Sequence, residues 1–274
     1  PAHRDNQHVH ANRTEPMTKT IDLIADLGEG FGKYTVADDD ALLSIVSSAN
    51  VACGFHAGDP RVLDRTVRAC AEHGVSLGAH PGFPDLPGFG RRTIELSRHE
   101  VMTDTLYQIG ALAAFARRHD VPVRHVSPHG KLGNLCVTHE TYARGVLDAV
   151  LAFDQELVVV CQEGVLTAMA REHGLPVAVI GFADRNYNDD GTLVDRRHPD
   201  ALVRNADLVV ERAVQLATKG TVTTVSGTEI PVPCDTVLVH GDTAGSVTLA
   251  RRVRAALEAA GVTIAPFHAP AGVR

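Results

Sequence analysis

Polar side chains capable of chemistry follow six of the seven apolar runs in this sequence, at the point where each run ends. They are Asp26, Glu29, His56, Asp59, His80, His129, Asp184, Arg185, His240 and Asp242. Imidazoles and carboxylates together can hold a divalent metal or, without one, act as general acids and bases near neutral pH. Guanidinium groups bind carboxylates and phosphates, so Arg185, with Arg91 and Arg92, suits an anionic ligand. Metal-dependent and metal-free chemistry both stay open at this point.

The seven runs have the character of buried parallel strands, because each is short, β-branched and apolar on both faces. They span residues 21–29, 49–55, 75–80, 123–130, 156–163, 175–185 and 235–242. Helical patterns separate them, and this alternation predicts a parallel sheet with helices outside, open or closed into a barrel. Seven units in roughly 255 residues approach the size of an eight-unit β/α barrel. The carboxyl ends of the strands then share one face, where the polar residues are expected to converge.

Local signals predict where the helices begin. Asp59-Pro60 combines an N-cap with a proline at the first helical position, and Ser97 opens a capping box with Glu100. Further helix starts are predicted at Thr138, Glu163, Pro199 and Thr243.

Two insertions interrupt the alternation. Residues 81–92 and 186–198 each follow a strand directly, so both are predicted to lie over the same end of the sheet as lids. The run VDRRHPD at 194–200 is interpreted as a solvated loop, and residues 220–232 as a hairpin that turns at Ser226-Gly227.

The composition excludes several classes of protein. The chain has 274 residues, of which 44% are hydrophobic and 22% charged, and its formal net charge is −7. An acidic chain without a basic patch is a poor nucleic-acid partner, and no apolar run approaches the roughly 18 residues that span a membrane. Five cysteines without a CxxC pair are typical of a reducing cytoplasm, where we expect the protein to act, and argue against a structural zinc site.

The first residues are expected to lie outside the fold. Residues 1–18 are polar, lack the apolar segment of a signal peptide and are predicted to be disordered, as an upstream leader or residues added for expression. Residues 19–274 then form a single β/α-barrel domain. His125, in the middle of an apolar run, is expected to be a satisfied core or interface residue.

Long motifs at the strand ends resemble a known family. They are DLGEGFG (26–32), SANVACGFHAGDP (48–60), GAHPGFPDLPGFGRR (78–92), PHGKLGN (128–134), FADRNYNDDGTLVDR (182–196) and VHGDTAG (239–245). From about Ile21 to Val262 the chain resembles the LamB/YcsF family. The resemblance implies a seven-stranded parallel β/α (TIM-like) barrel of the glycoside hydrolase/deacetylase type, a fold associated with carbohydrate metabolism. It also implies cleavage of 5-oxo-L-proline to L-glutamate with ATP as co-substrate, by an A subunit that needs B and C subunits.

The same resemblance suggests residue roles. Asp26 or Glu29 would be the general base, while His56, His80 and His129 position water or stabilise the oxyanion. The residues expected to bind a small anionic substrate or phosphate are Arg91, Arg92, Lys131, Asn134, Arg185, His240 and Asp242. By analogy with deacetylase relatives, Asp26, His56 and His80 would hold a divalent metal such as Mg²⁺. A homodimer is also compatible with such a barrel.

The chain departs from the pattern of the family at three points. Ile24 stands where the family usually has asparagine, Ser127 where it has lysine, and Ile180 or Gly181 where it has glutamate. Lys131 could reach back to replace the missing cation, because a lysine stem is long and flexible. Three interpretations therefore stand: one component of an ATP-dependent lactam hydrolase, a metal-dependent hydrolase acting alone, and a binding or regulatory protein without chemistry.

Overall fold

The computed structural model describes residues 19–242 and 245–267. The strands are β1 (Thr20–Leu27), β2 (Ser48–Ala52), β3 (Ser76–His80), β4 (Val123–Val126), β5 (Val158–Cys161), β6 (Val177–Phe182), β7 (Thr221–Thr223), β8 (Glu229–Pro231), β9 (Thr236–Leu238) and β10 (Thr263–Ile264). The helices are α1 (Asp39–Leu43), α2 (Pro60–His73), α3 (Arg98–Arg118), α4 (Gly130–Thr138), α5 (Glu140–Phe153), α6 (Val165–Glu172), α7 (Ala206–Lys219) and α8 (Ser246–Ala259). Among the described residues, no helix combines the length and the apolar character that crossing a membrane requires.

Seven parallel strands close into a barrel, in the order β1-β2-β3-β4-β5-β6-β9. Closure comes from β9, which pairs with β6 on one side and with β1 on the other, where Asp22 lies opposite Thr236 and Ile24 opposite Leu238. The predicted seven-stranded parallel β/α barrel is thereby confirmed. The short β10 adds beside the start of β1, and β7 pairs with β8 as the predicted antiparallel hairpin.

Alternation along the strands separates two apolar cores. On β1, Leu23, Ala25 and Leu27 belong to the large core between the barrel and the helices. Ile24 faces the other way and joins a small cluster inside the barrel. The other members of that inner cluster are Val158, Val160, Ala178, Ile180 and Leu238. Because side chains alternate across a strand, Asp26 shares the inner face with Ile24 and projects into the barrel.

A polar group is also buried at the amino end of the barrel. Asp22 accepts hydrogen bonds from the hydroxyl groups of Ser47 (2.7 Å), Ser48 (2.6 Å) and Thr236. Burial outweighs these bonds and raises the pKa of Asp22 to about 6. The group lies at the end of β1 opposite to the strand ends that carry the predicted site, where residues usually serve stability.

Helix caps form where the sequence predicts them. Asp59 accepts hydrogen bonds from the backbone N–H groups of Arg61 (2.8 Å) and Val62 (3.1 Å), and the capping box of Ser97 with Glu100 is complete. These contacts satisfy N–H groups that have no partner within the first helical turn.

The other predicted helix starts are less accurate. Thr138 ends α4, a helix that the prediction lacked because two glycines dilute its pattern, and the next helix begins at Glu140. Glu163 lies two residues before α6, and Pro199 opens a 3₁₀ turn ahead of α7. Thr243, like residues 1–18 and 268–274, lies outside the described residues, so the predicted leader stays a prediction.

Candidate functional site

The carboxyl ends of the barrel strands surround a cavity of about 660 Å³. Many of the predicted site residues line it: Asp26, His80, Arg91, Arg92, His129, Lys131, Asn134, Arg185 and His240. Both insertions contribute to its walls, residues 91 and 92 from the first and residues 192, 193 and 195–197 from the second. Most of the strand-end side chains and both insertions therefore lie on one face, as expected, whereas Asp59 caps α2 and does not line the cavity.

Four buried side chains form a cluster beside the cavity: Glu29, His56, His80 and His129. One nitrogen or oxygen atom from each lies within 4.8 Å of the others. Glu29 Oε1 is 3.2 Å from His56 Nε2 and 3.6 Å from His129 Nδ1, which is 3.0 Å from His80 Nε2. The rings of His56 and His129 are stacked in parallel, with their centroids 3.6 Å apart.

Backbone carbonyls fix the orientation of two of these imidazoles. His80 Nδ1 lies 2.6 Å from the carbonyl oxygen of Ser127, and His129 Nε2 lies 2.8 Å from that of Phe89. A carbonyl only accepts, so both nitrogens donate. Gly90, in the first insertion, allows this packing, since its φ is +63° and an added Cβ would lie 2.9 Å from the His129 ring.

Asp26 is held from below by a chain of buried polar groups. Its Oδ1 accepts a hydrogen bond from Asn50 Nδ2 at 2.9 Å, and Asn50 Oδ1 lies 2.9 Å from His125 Nε2, which must therefore donate. Gly78 makes room for His125, because an added Cβ would lie 2.0 Å from its Nε2. Burial lowers the pKa of His125 to about 3, so the ring is neutral, in keeping with its expected place in the core.

The two carboxylates of the site have opposite pKa shifts. Burial raises the pKa of Glu29 well above its ordinary value, and the negative charges of Asp26 and Asp242 add to this. For Asp26, burial also acts to raise the pKa, but attraction to His80 and a hydrogen bond from it outweigh burial and lower the value. Such divergence is typical of a carboxylic acid and a carboxylate that serve different roles in one site.

A second ionisable pair lies just beyond the ends of β6 and β9. His240 Nδ1 lies 2.8 Å from Asp184 Oδ2, and the backbone N–H of His240 donates to the same oxygen at 3.0 Å. Burial acts to raise the pKa of Asp184, but attraction to His240 and its hydrogen bonds lower it, so Asp184 is ionised. Because Nδ1 donates to this carboxylate, the lone pair of His240 lies on Nε2, the nitrogen that makes no hydrogen bond among the described residues. Such a pair has the geometry of a general base and its orienting group.

Arginines make one wall of the cavity cationic. Arg91 Nη2 donates to Asp242 Oδ2 at 2.7 Å, and Arg196 Nη2 lies 3.5 Å from the same oxygen. Arg185 donates to the backbone carbonyls of Val194, in the second insertion, and Ala201, just after it. Burial, with the charges of Arg196 and Arg91, lowers the pKa of Arg185 to about 10. Three guanidinium groups held this close favour an anionic ligand.

Two further predicted anion-binding groups are placed differently. Arg92 donates from Nε to Asp85 at 3.0 Å within the first insertion, and its side chain is largely exposed. Lys131 lines the cavity, and its ammonium group makes no hydrogen bond among residues 19–242 and 245–267. Arg92 thus stabilises the insertion, whereas Lys131 is available to a ligand.

Residues of the barrel interior make another wall of the cavity apolar. Val160, Ile180, Phe182 and Leu238 line it, and Ile24 packs beneath them within the barrel. Two of the three departures from the family pattern, Ile24 and Ile180, thus fall together in one apolar cluster. Each of these two side chains is therefore buried among apolar neighbours, and neither places a polar group where it would lack a partner.

Sequence reasoning missed two functional candidates. Asn50 lies within β2, and two signals could have found it: its polarity on the inner face of that strand and its place in the motif at 48–60. Arg196 was included in the run interpreted as a solvated loop, and this interpretation is wrong for it: its side chain is 23% exposed and lines the cavity. The insertion folds back over the barrel through hydrogen bonds between its backbone and Arg185.

Fold and site together define a β/α-barrel protein whose acid–base centre and anion-binding arginines share one cavity at the carboxyl ends of the strands. The model of the LamB/YcsF family matches residues 21–272, and the chain belongs to that family.

The sequences of similar proteins align with nearly the whole of this chain. The A subunit of 5-oxoprolinase from Streptomyces avermitilis is 49% identical over 248 residues, which are 90% of this chain and 99% of that protein. The protein of the same name from Chloroflexus aggregans is 47% identical over 246 residues, covering 89% and 98%. The crystal structure of a lactam utilization protein from Thermus thermophilus is 42% identical with a TM-score of 0.85, and covers 90% of this chain and all of that one.

Proposed function

We propose that this chain is the A subunit of an ATP-dependent 5-oxoprolinase, a hydrolase that opens the cyclic amide of 5-oxo-L-proline to give L-glutamate. Its relatives carry that name. The observation that carries the proposal is the division of one cavity into an apolar wall, a cationic wall and an acid–base centre.

A lactam with a carboxylate matches these three parts. The ring methylenes would lie against Val160, Ile180 and Leu238, because apolar surface is favourably buried there. The substrate carboxylate would bind Arg91 or Arg196, through the bidentate geometry that guanidinium offers. The amide then faces His240 on one side and the cluster of Glu29 with its histidines on the other.

Acid–base roles follow from the hydrogen bonds. His240 Nε2 accepts the proton of the attacking water, and Asp184 stabilises the imidazolium that results. As the ring C–N bond breaks, the nitrogen needs a proton, and Glu29 is the group whose raised pKa keeps a proton available. This assigns the base to His240, where the resemblance suggests Asp26 or Glu29; Asp26 instead stays ionised beside His80.

The reaction needs ATP because amide resonance resists attack by water. Transfer of the terminal phosphoryl group of ATP to the amide oxygen, with release of ADP, would make the ring carbon electrophilic, and Lys131 with the arginines would hold the phosphate. Addition of water and cleavage of the C–N bond then give an acyl phosphate, which a second water molecule hydrolyses to L-glutamate and phosphate. We propose that ATP, with its Mg²⁺, is the co-substrate of a complex with B and C subunits in the cytoplasm, and that two copies of this chain pair within that complex.

The test is glutamate formation from 5-oxo-L-proline and ATP by the chain alone and by the chain mixed with its B and C subunits. We expect turnover only in the mixture, and a loss of at least 100-fold on His240→Gln, roughly the contribution of a general base. Turnover by the chain alone would favour an independent hydrolase. An assembled mixture without turnover would contradict the proposal and favour a binding protein.

A further inference from the structure

The histidine cluster contains an electrostatic conflict. Because His80 Nδ1 and His129 Nε2 donate to carbonyls, the remaining nitrogens of the two rings both carry lone pairs whenever both rings are neutral. Those nitrogens, His80 Nε2 and His129 Nδ1, lie only 3.0 Å apart. Two lone pairs at this distance repel each other unless a positive charge lies between them or beside them.

Two buried acidic side chains flank the two nitrogens. Asp26 Oδ1 is 3.4 Å from His80 Nε2, and Glu29 Oε1 is 3.6 Å from His129 Nδ1. A divalent cation placed among these atoms would contact both nitrogens and carboxylate oxygen.

The separations fit a metal centre. Ligand atoms at about 2.1 Å from an ion in tetrahedral geometry lie roughly 3.4 Å apart. The pairs given above lie 3.0, 3.4 and 3.6 Å apart. Hydrogen bonds from the far nitrogens of both imidazoles to carbonyls are the usual support of metal-binding histidines.

His56 does not belong to this ligand set. Its ring lies parallel to that of His129, with 4° between the planes, and a lone pair lies in the plane of its own ring. One ion therefore cannot meet the lone pairs of both rings. His56 Nε2 instead lies 3.2 Å from Glu29 Oε1, where it can donate and orient that carboxylate.

We propose that Glu29, His80 and His129, with Asp26 beside them, form a site for one divalent transition-metal cation such as Zn²⁺. Imidazole ligands favour such ions over Mg²⁺, which prefers oxygen. The set differs from Asp26, His56 and His80, the set suggested by resemblance, because His56 faces Glu29 and stacks on His129. When bound, the ion would polarise a carbonyl or acidify a water molecule. The test of the site is independent of the proposed function, since the chain alone would bind the metal; with the metal bound, Glu29 would be ionised and would give up the role of acid proposed above.

The test is metal binding by the purified full chain. The metal content is measured as isolated, then the chain is stripped with EDTA and titrated with Co²⁺, whose visible absorption reports nitrogen and oxygen ligands. We expect the wild-type chain to bind one more equivalent of Co²⁺ than His80→Ala or His129→Ala does. The histidines near the N-terminus are present in all three proteins, so any metal that they bind does not affect this difference. Glu29→Gln, which keeps the shape of the side chain, should weaken binding by at least about 10-fold.

Controls separate ligands from supporting residues. His56→Gln should keep the stoichiometry and the Co²⁺ spectrum while affinity falls roughly 10-fold. His119→Gln, in the surface pair with Asp64, should change neither. If the folded wild-type chain binds no more Co²⁺ or Zn²⁺ than His129→Ala, the site holds only a shared proton and the proposal is overturned.

Discussion

Replacement of Asp184 by asparagine tests the assignment of the base. The carboxylate contacts His240 Nδ1 at 2.8 and 2.9 Å through its two oxygens, and one of them also accepts the backbone N–H of His240. In Asp184→Asn, an amide oxygen in the place of Oδ2 can keep the backbone bond and still face Nδ1, which lies 2.8 Å from Oδ2. The amide NH₂ then takes the place of Oδ1, 2.9 Å from Nδ1, where it opposes a protonated Nδ1, and the negative charge of the pair is lost.

The substitution therefore removes the charge that stabilises the imidazolium, and it favours the tautomer with the proton on Nε2, the nitrogen that must accept a proton from water. The loss of a general base and of its charge partner lowers rates by about 10² to 10⁴, or roughly 3 to 5 kcal/mol in the activation free energy. Shape and volume hardly change, so the free energy of unfolding should change far less than the activation free energy.

The assay is kcat and KM for glutamate formation by the variant mixed with its B and C subunits. We expect kcat to fall by at least about 100-fold, with KM within about threefold of the wild type. Asp64→Asn is the matched control, since Asp64 lies 2.8 Å from His119 in a similar pair on the surface. If Asp184→Asn retains a third or more of the wild-type kcat, His240 is not the base.

Three predictions concern stability. Asp22, with its pKa raised to about 6, binds its proton more tightly in the folded chain than in the unfolded one, so its contribution is full below about pH 4 and is lost as pH rises through 6. The free energy of unfolding of Asp22→Asn, relative to that of the wild type, should therefore rise by about 2 to 3 kcal/mol from pH 4 to pH 7.5. Urea unfolding at the two pH values measures this, and an equal difference between the two proteins at both would contradict it. Gly78→Ala places a Cβ 2.0 Å from His125 and should cost roughly 3 kcal/mol in unfolding free energy, whereas a cost under about 1 kcal/mol would show that the ring has room to move. Ser97→Ala removes the capping box of α3 and should cost about 1 kcal/mol by urea unfolding; no measurable change would mean that packing alone holds the first turn.

Much of the barrel could be predicted from sequence because its signals are local. Each of the seven parallel strands of the barrel overlaps a predicted apolar run, and Asp59 and Ser97 form the caps that their residue types favour. Strand ends also located the site, since parallel topology brings the residues that follow each strand to one face.

Pairwise partners could not be predicted, because they depend on side-chain direction across strands far apart in sequence. His240 was expected among the binding residues, but its role depends on Asp184, 56 residues away. Asn50 was missed because its partner Asp26 lies on the neighbouring strand. Arg196 gave the signal of a solvated charge, and only the fold of the insertion buries it.

The pairing of β1 with strands from the far end of the chain has a consequence for synthesis. Of the strands described, β1 is the first to leave the ribosome, yet its neighbours β9 and β10 are the last. Until residue 264 has emerged, β1 has an open edge, and for most of that time Asp26 on that strand has no His240 across from it. The nascent chain therefore displays an incomplete barrel from the emergence of β1 to that of β10, and a chain interrupted in this interval should be a target for chaperones or proteases and not a partial enzyme.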